Sequence, residues 1–547
     1  MTRFAEVHQA LREHQEIALI DLREEDPFAQ CHPLFAAQLS LARLETDAWT
    51  RIPRLDTPVV VMDNGEGLAA VGAERLKALG YTQVSLLEGG LQGWINDGGE
   101  VFKDVNVPSK SFGELVEHER HTPSLSAPEV KALIEQKANV VVLDARRFDE
   151  YQTMSIPSGI SVPGAELVLR AASLAPDPST HIVVNCAGRT RSIIGTQSLV
   201  NAGLPNRITA LRNGTIGWTL AGQELVRGAQ EKFKPVTETE RQQAALRARA
   251  VADRAGVKRV SLDQLAVQKR ETTRTTYCLD VRTPEEFLAA HLPGFRSAPG
   301  GQLVQETDFS APVRGARIVL YDDDGVRANM SASWLAQMNW DVAVLDGIAL
   351  SELTEAGPAP LRRPVPAPPQ NAISPAELAE MVSLVGQVGL ATKQTANSKG
   401  SKGLLQPLIL DLGTSANYVK GHVPGAAWIL RSRIAQDLRA LLDTAKPFEQ
   451  VVLTCETGLV SPYAAQEVAQ IAGLPVAVLT GGNAAWRQAG LQVAQGETLL
   501  VSPRIDRYRR PYEGTDAPRE AMQAYLDWEF GLVEQLGRDA SHGFRVI

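Results

Sequence analysis

The stretch Cys186-Ala-Gly-Arg-Thr-Arg-Ser192 is the part of this chain best equipped for covalent chemistry. One thiol is followed within five residues by two guanidiniums, Arg189 and Arg191, and then by a hydroxyl, Ser192. The β-branched run HIVVN precedes it and the helix-period segment SIIGTQSLVNAG follows it. In open α/β sheets, sites form at the carboxyl ends of the strands. A tight loop there turns backbone N–H groups toward one point, and a helix N-terminus, expected at about Ser192, adds partial positive charge. A free thiol titrates near ~8.5, and helix N-termini and cations bring it down to about 3.5–7.5. The expected chemistry is therefore nucleophilic. Cys186 is the thiolate, and Ala187, Gly188, Arg189, Thr190, Arg191 and Ser192 form the cradle of a small anionic substrate. Two plainer readings compete. The thiol could be an inert buried hydrophobe, which two adjacent cations argue against. The arginines could serve structural carboxylates, which is easier to accept for one of them than for both.

The other three cysteines are weighed singly, since no pair has the C-x-x-C spacing of a zinc or redox motif. Cys455-Glu-Thr-Gly-Leu-Val-Ser461 keeps the thiol but has no arginine, and Glu456 opposes thiolate formation. Cys455 stands as a second candidate site. Cys31 and Cys278 lack a cationic setting and read as packing residues.

These loops sit in a repeat. Four apolar runs end in an aspartate: Asp21, Asp144, Asp280 and Asp411, spaced 123, 136 and 131 residues apart. A second set ends at Asp63, Cys186, Asp322 and Cys455, and a third reads SLLEGGLQGW, TALRNGTIGW, AVLDGIAL and AVLTGGNAAW. Three markers in one order at one period predict four copies of a unit of about 125–135 residues, too long for a solenoid repeat. Short unalternated apolar runs are strands buried on both faces of a parallel sheet. The helix-period segments between them end at Gly80, Gly203 and Gly473, as helix stops do. The class is α/β.

The 547 residues allow three or four domains at about 150 each. The boundaries expected are 1–108, 109–235, 236–365 and 370–500, with a C-terminal extension over 501–547. Residues 237–256 read as a charged, helix-prone linker and 358–369 as a proline-rich extended one. A net charge of −8 disfavours nucleic-acid binding, including at the Arg/Tyr stretch 504–512, whose extension is expected to pack across a neighbouring unit. No run reaches the roughly 18 apolar residues of a membrane span, and the polar N-terminus is not a secretory signal. Four sparse cysteines point to the cytoplasm.

The chain resembles a tandem rhodanese-family sulfurtransferase. Besides the loop with four residues between Cys186 and Arg191, the likeness rests on several further motifs. These are Asp280-Val-Arg282 with Glu286-Phe287 and His291-Leu-Pro-Gly294, Gly421-His-Val-Pro-Gly-Ala426, and Gly-Gly-x-x-x-Trp at Gly89 to Trp94 and Gly481 to Trp486. It implies four rhodanese-like domains, each a mostly parallel sheet flanked by helices. It also implies ping-pong chemistry through a Cys186 persulfide, loaded by thiosulfate or a similar anion and unloaded by a thiol or cyanide-like acceptor, with a protein acceptor allowed. No metal or organic cofactor is implied. Unit two departs from the pattern, with Met154-Ser-Ile-Pro-Ser-Gly159 where a histidine is expected. His32, His291 and His422, at the equivalent position elsewhere, are read as structural.

In unit one Asp63-Asn-Gly-Glu replaces thiol and arginines, and in unit three Asp322-Asp-Asp-Gly-Val-Arg does so with three acids, read as a solvated acidic turn. Neither can form a persulfide. Two alternatives remain open. A cysteine phosphatase or arsenate reductase would need five residues between Cys and Arg. A scaffold or sulfur carrier would tolerate degenerate copies.

Overall fold

The structure is a computed structural model in which residues 1–361, 367–368, 371–391, 407–444, 448–514 and 516–547 are described. The proline-rich segment 358–369 lies partly outside them. Each unit is built on a parallel sheet. In unit two the order is Ser124–Leu125, Ile208–Leu211, His181–Asn185, Val140–Asp144, Gly159–Ser161. Units three and four repeat this five-strand order, and unit one has the four strands Ala37–Gln38, Ala18–Asp21, Val59–Met62 and Val84–Leu86. The strand ending in the repeat aspartate pairs with the strand leading into the loop, so Asp144 is level with Asn185 and Asp411 with Thr454. That register brings the first strand's end to the foot of the loop.

All five residues of His181–Asn185 are buried, as β-branched strands covered on both faces must be. The helix after each loop is Leu68–Ala78, Thr190–Asn201, Arg327–Gln337 or Ser461–Ala472. In unit two it begins at Thr190, one half-turn before the expected Ser192. Gly203 and Gly473 stop two of these helices at positive φ, where a Cβ is costly.

The segment 237–256 does more than link. It forms the helix Glu238–Arg254, started by a capping box of Thr237 and Glu240. Ala244, Ala248 and Val251 enter one cluster with Leu199 of unit two and Val326 and Met330 of unit three. Units two and three are thus joined by a shared core. Arg327 adds a polar joint there. It is 2% exposed and reaches Asp324 at 2.5 Å, Asp323 at 3.1 Å, Glu286 at 2.6 Å and, from unit two, Glu166 at 2.9 Å. Units one and four meet through the buried Arg431–Glu45 pair at 2.6 Å.

The extension carries two helices, Arg519–Phe530 and Leu532–Asp539. The second inserts Leu532 and Leu536 into the core of unit one beside Phe28 and Trp94. The first lies on the Cys186 loop. Among the described residues no helix is long and apolar enough to cross a membrane.

Candidate active site

Cys186 follows directly on the strand His181–Asn185, and its side chain is 1% exposed. Its Sγ lies 3.5 Å from Ser192 Oγ, which itself donates to the Arg189 carbonyl at 2.8 Å. The loop carbonyls are pinned outward. Thr215 N–H donates to the Cys186 carbonyl (2.9 Å) and Ile216 N–H to that of Ala187 (3.0 Å). Carbonyls pinned outward are the arrangement of a backbone nest, whose N–H groups suit an anion. This needs the backbone of Gly214 against the loop: a Cβ there would stand 2.7 Å from the Gly188 oxygen. Gly214 belongs to the Gly-x-x-x-Trp marker of the repeat, so the sequence held this signal. Thr190 packs on Gly113, where a Cβ would meet its methyl at 2.8 Å.

The two arginines behave differently from expectation. Arg191 makes a two-pronged pair with Glu150 at 2.7 and 2.9 Å. Arg189 binds Glu114 at 2.7 and 2.8 Å, also reaches Glu117 and Asn213, and stacks on Phe530 with 4.3 Å to the ring centre. Both serve carboxylates. The preference for at most one doing so is corrected. The charge they bring to the loop is largely neutralised, and the geometry is that of struts. Glu114, Glu117 and Asn213 were missed because they lie far away in sequence. Glu150 was legible as the counterpart of Glu286, six residues after the repeat aspartate.

The expectation of a depressed thiol pKa is also corrected. Burial pushes the Cys186 thiol above its ordinary value. Arg191, the Ser192 hydrogen bonds and Arg146 pull the other way without prevailing. Against burial, which raises it, Arg191 holds the Glu150 carboxyl down at about 2, so the strut stays ionised.

Asp144 and Arg146 form a buried fork at 2.7 and 2.9 Å, and Arg146 also donates to the Met154 carbonyl at 2.5 Å. They support the loop from below. The histidine replaced by Ser155 in unit two is structural in the other units, where it makes the same isolated bridge. His32, His291 and His422 are buried, stack on Phe28, Phe287 and Tyr418, and bond backbone carbonyls through Nδ1.

Units one and three fill the same cradle with a carboxylate. Asp63 accepts from Gly65 and Ala69 N–H at 3.0 and 2.9 Å, and Asp322 from Gly325 and Ala328 N–H at 3.1 and 2.8 Å. The solvated acidic turn is corrected here: Asp322 and Asp324 are buried, with Asp324 tied to Arg327. Burial and the neighbouring Asp324 push the Asp322 carboxyl well above the usual range. In unit four Cys455 is 2% exposed, and its carbonyl is held by Asn483 N–H at 2.9 Å, as in unit two. Glu456 turns away to Arg487. Ser461, the counterpart of Ser192, is buried, with no partner for its hydroxyl among the described residues. Cys278 is buried in the strand Thr276–Asp280, and Cys31 is half-buried.

The model of the rhodanese-like domain matches residues 4–97, 126–221, 261–347 and 392–489. The chain belongs to the rhodanese-like family. A crystal structure of thiosulfate sulfurtransferase from Pseudomonas aeruginosa is 61% identical, with a TM-score of 0.93, covering 100% of this chain and 99% of that one. A rhodanese-related protein from Thermoplasma volcanium is 17% identical, with a TM-score of 0.17, covering 23% of this chain and 97% of that one.

One prediction arises beside the rhodanese-like loop. Burial and Glu114 push the Glu529 carboxyl up to about 8, although Lys110, Tyr525 and Arg189 favour its ionised form. The folded state then keeps a proton that the unfolded chain releases above the ordinary value of 4.5. Stability from this group is present below that value and is lost as pH rises toward 8, at up to ~1.4 kcal/mol per pH unit. Glu529→Gln is expected to remove this slope. Melting temperatures from pH 5 to 8.5 should diverge in favour of the variant as pH rises, and parallel curves would refute the assignment.

Proposed function

We propose that this rhodanese-type sulfurtransferase carries sulfane sulfur as a persulfide on Cys186, taken from thiosulfate or a similar small anion and passed to a thiophilic acceptor such as cyanide or a thiol. The observation that carries the reading is the single thiol at a strand end and a helix start, in a loop whose carbonyls are pinned outward, the backbone arrangement of an N–H nest. Donors of that kind stabilise an anionic sulfur without needing a free arginine. The step balances. The thiolate attacks the outer sulfur of thiosulfate, a Cys–S–S⁻ bond forms, and sulfite leaves with the electron pair of the broken S–S bond. Cyanide then removes the outer sulfur as thiocyanate and restores the thiolate.

The site residues are Cys186 as nucleophile and Ala187 to Ser192 as its cradle, with Arg189 and Arg191 holding the loop's shape. Cys455 is a weaker second centre, with the same carbonyl pinning but no arginine strut in its loop. The four-residue spacing from Cys186 to Arg191 favours sulfur over a tetrahedral oxyanion and disfavours the phosphatase alternative. Unpaired cysteines support a reducing, cytoplasmic setting. The deciding experiment is intact mass after incubation with thiosulfate, followed by peptide mapping. A cyanide-removable gain of one sulfur on Cys186 is the expected result. No gain from thiosulfate, mercaptopyruvate or persulfide donors would leave the scaffold reading.

Because burial raises the Cys186 thiol, the resting thiolate is a minority at neutral pH. The loading rate is expected to climb with pH and to be still climbing beyond ~8.5, the ordinary thiol value. Stopped-flow loading across pH 6–10 reads this directly. A plateau already reached at pH 7 would show a thiolate held down by the loop.

A further inference from the structure

The C-terminal extension lies directly on the Cys186 loop. A Cβ at Gly188 would stand 3.2 Å from the Tyr525 ring and 3.5 Å from the Glu529 carboxylate. Tyr512, Tyr525 and Met522 form one buried apolar cluster with Ala187 and Ile216. The two tyrosine rings meet edge to face with centroids 5.3 Å apart. The buried Lys110 ammonium, 5.5 Å from the Tyr512 ring and 5.2 Å from that of Tyr525, holds both from behind. Arg519 fastens the helix by donating to the Thr219 and Leu220 carbonyls at 3.2 and 2.7 Å. This is a built wall, fixed at several points rather than draped.

Two cavities flank it, of about 400 and 310 Å³, and Tyr512 lines both. The larger is walled by five arginines, Arg191 and Arg510 among them, and by four carboxylates. With five arginines against four carboxylates, it is a polar, mildly cationic antechamber. Arg191 lines it, and Arg191 is also the leading cation acting on the Cys186 sulfur. Cys186 is 1% exposed and directly precedes Ala187, which packs in the same cluster as Tyr512 and Tyr525, so the wall covers the loop beside the sulfur.

We infer that Tyr512, backed by Tyr525, sets the size limit of the sulfur donor at Cys186. The site takes a small inorganic sulfane anion and excludes donors whose sulfane sulfur carries a bulky organic group. A rigid aromatic wall discriminates by exclusion, since a group too large has no room and no compensating contact. The inference rests on the persulfide reading of Cys186 for its chemistry, but not for its geometry.

The test separates the two. Alkylation of Cys186 by iodoacetamide and by a bulky aryl maleimide, followed by peptide mapping, reads access whether or not sulfur is transferred. The expected result in Tyr512→Ala is a rise of roughly tenfold or more in the bulky-to-small rate ratio, with Tyr512→Phe keeping the wild-type ratio. In turnover, an aryl thiosulfonate, which leaves as the sulfinate, should gain on thiosulfate in kcat/KM by a similar factor. A melting curve checks that Tyr512→Ala remains folded. A second variant, Tyr525→Ala, carries the same expectation if it does not. An unchanged alkylation ratio in the folded variants overturns the wall. A changed alkylation ratio with no persulfide in any variant overturns the sulfur-transfer reading and leaves the wall standing.

Discussion

Cys186→Ser is expected to cut thiosulfate-to-cyanide sulfur transfer by on the order of a thousandfold or more while leaving the fold intact. The substitution exchanges sulfur for oxygen in a loop whose shape is set by other groups. The carbonyls of Cys186 and Ala187 stay pinned by Thr215 and Ile216, Arg191 stays on Glu150, and Arg189 stays on Glu114. What disappears is the only atom there able to hold a second sulfur, because a hydroxyl neither ionises near neutrality nor forms a persulfide. Initial rates with saturating thiosulfate give the answer, with melting temperature as the control. Activity surviving in Cys186→Ser would move the chemistry to Cys455.

The largest effect on stability is expected at Arg327, far from the thiol. Arg327→Ala should cost about 3–5 kcal/mol, read as a lowered midpoint in urea. The guanidinium is 2% exposed and spans Asp323, Asp324, Glu286 and Glu166, so its removal leaves four carboxylates facing one another, two of them, Asp324 and Glu166, buried. Arg327→Lys should recover little, since one ammonium cannot match the planar fork that reaches four partners. A loss below about 1 kcal/mol would mean that the carboxylates protonate or rehydrate easily. Glu166 belongs to unit two, so the loss should also loosen its seam with unit three.

Arg327 also explains what the sequence hid at the active loop. It stands five residues after Asp322, as Arg191 stands five after Cys186, and its partner Glu286 corresponds to Glu150. The same arginine–glutamate strut therefore holds a loop that has no thiol. Arg191 looked like a catalytic cation because only its neighbours in sequence were visible. Its partner, 41 residues away, was legible only through the repeat. The partners of Arg189 lie 75 and 72 residues away on a helix that no repeat marker announces. The strands, their parallel order and the helix stops were legible because they are written in local apolar runs and glycines. The aromatic cover on the loop was not, because Tyr512 and Tyr525, which cluster with Ala187, lie more than 300 residues downstream. The acidic turn of unit three was misjudged for a related reason. Composition suggests solvent, whereas Asp322 is buried and accepts from the inward N–H groups of Gly325 and Ala328.

The path of the extension has a consequence for how the protein is made. Cys186 leaves the ribosome 326 residues ahead of Tyr512 (512 − 186). At about 5–20 residues per second, the nascent chain carries an uncovered cysteine loop for roughly 15–65 s. During that interval the loop lacks the inferred aromatic wall, and the thiol is more open to bulky electrophiles and to exchange with other proteins' disulfides. Chemical selectivity here is thus the last property to be acquired in synthesis, arriving with the same segment that closes the core of unit one through Leu532 and Leu536.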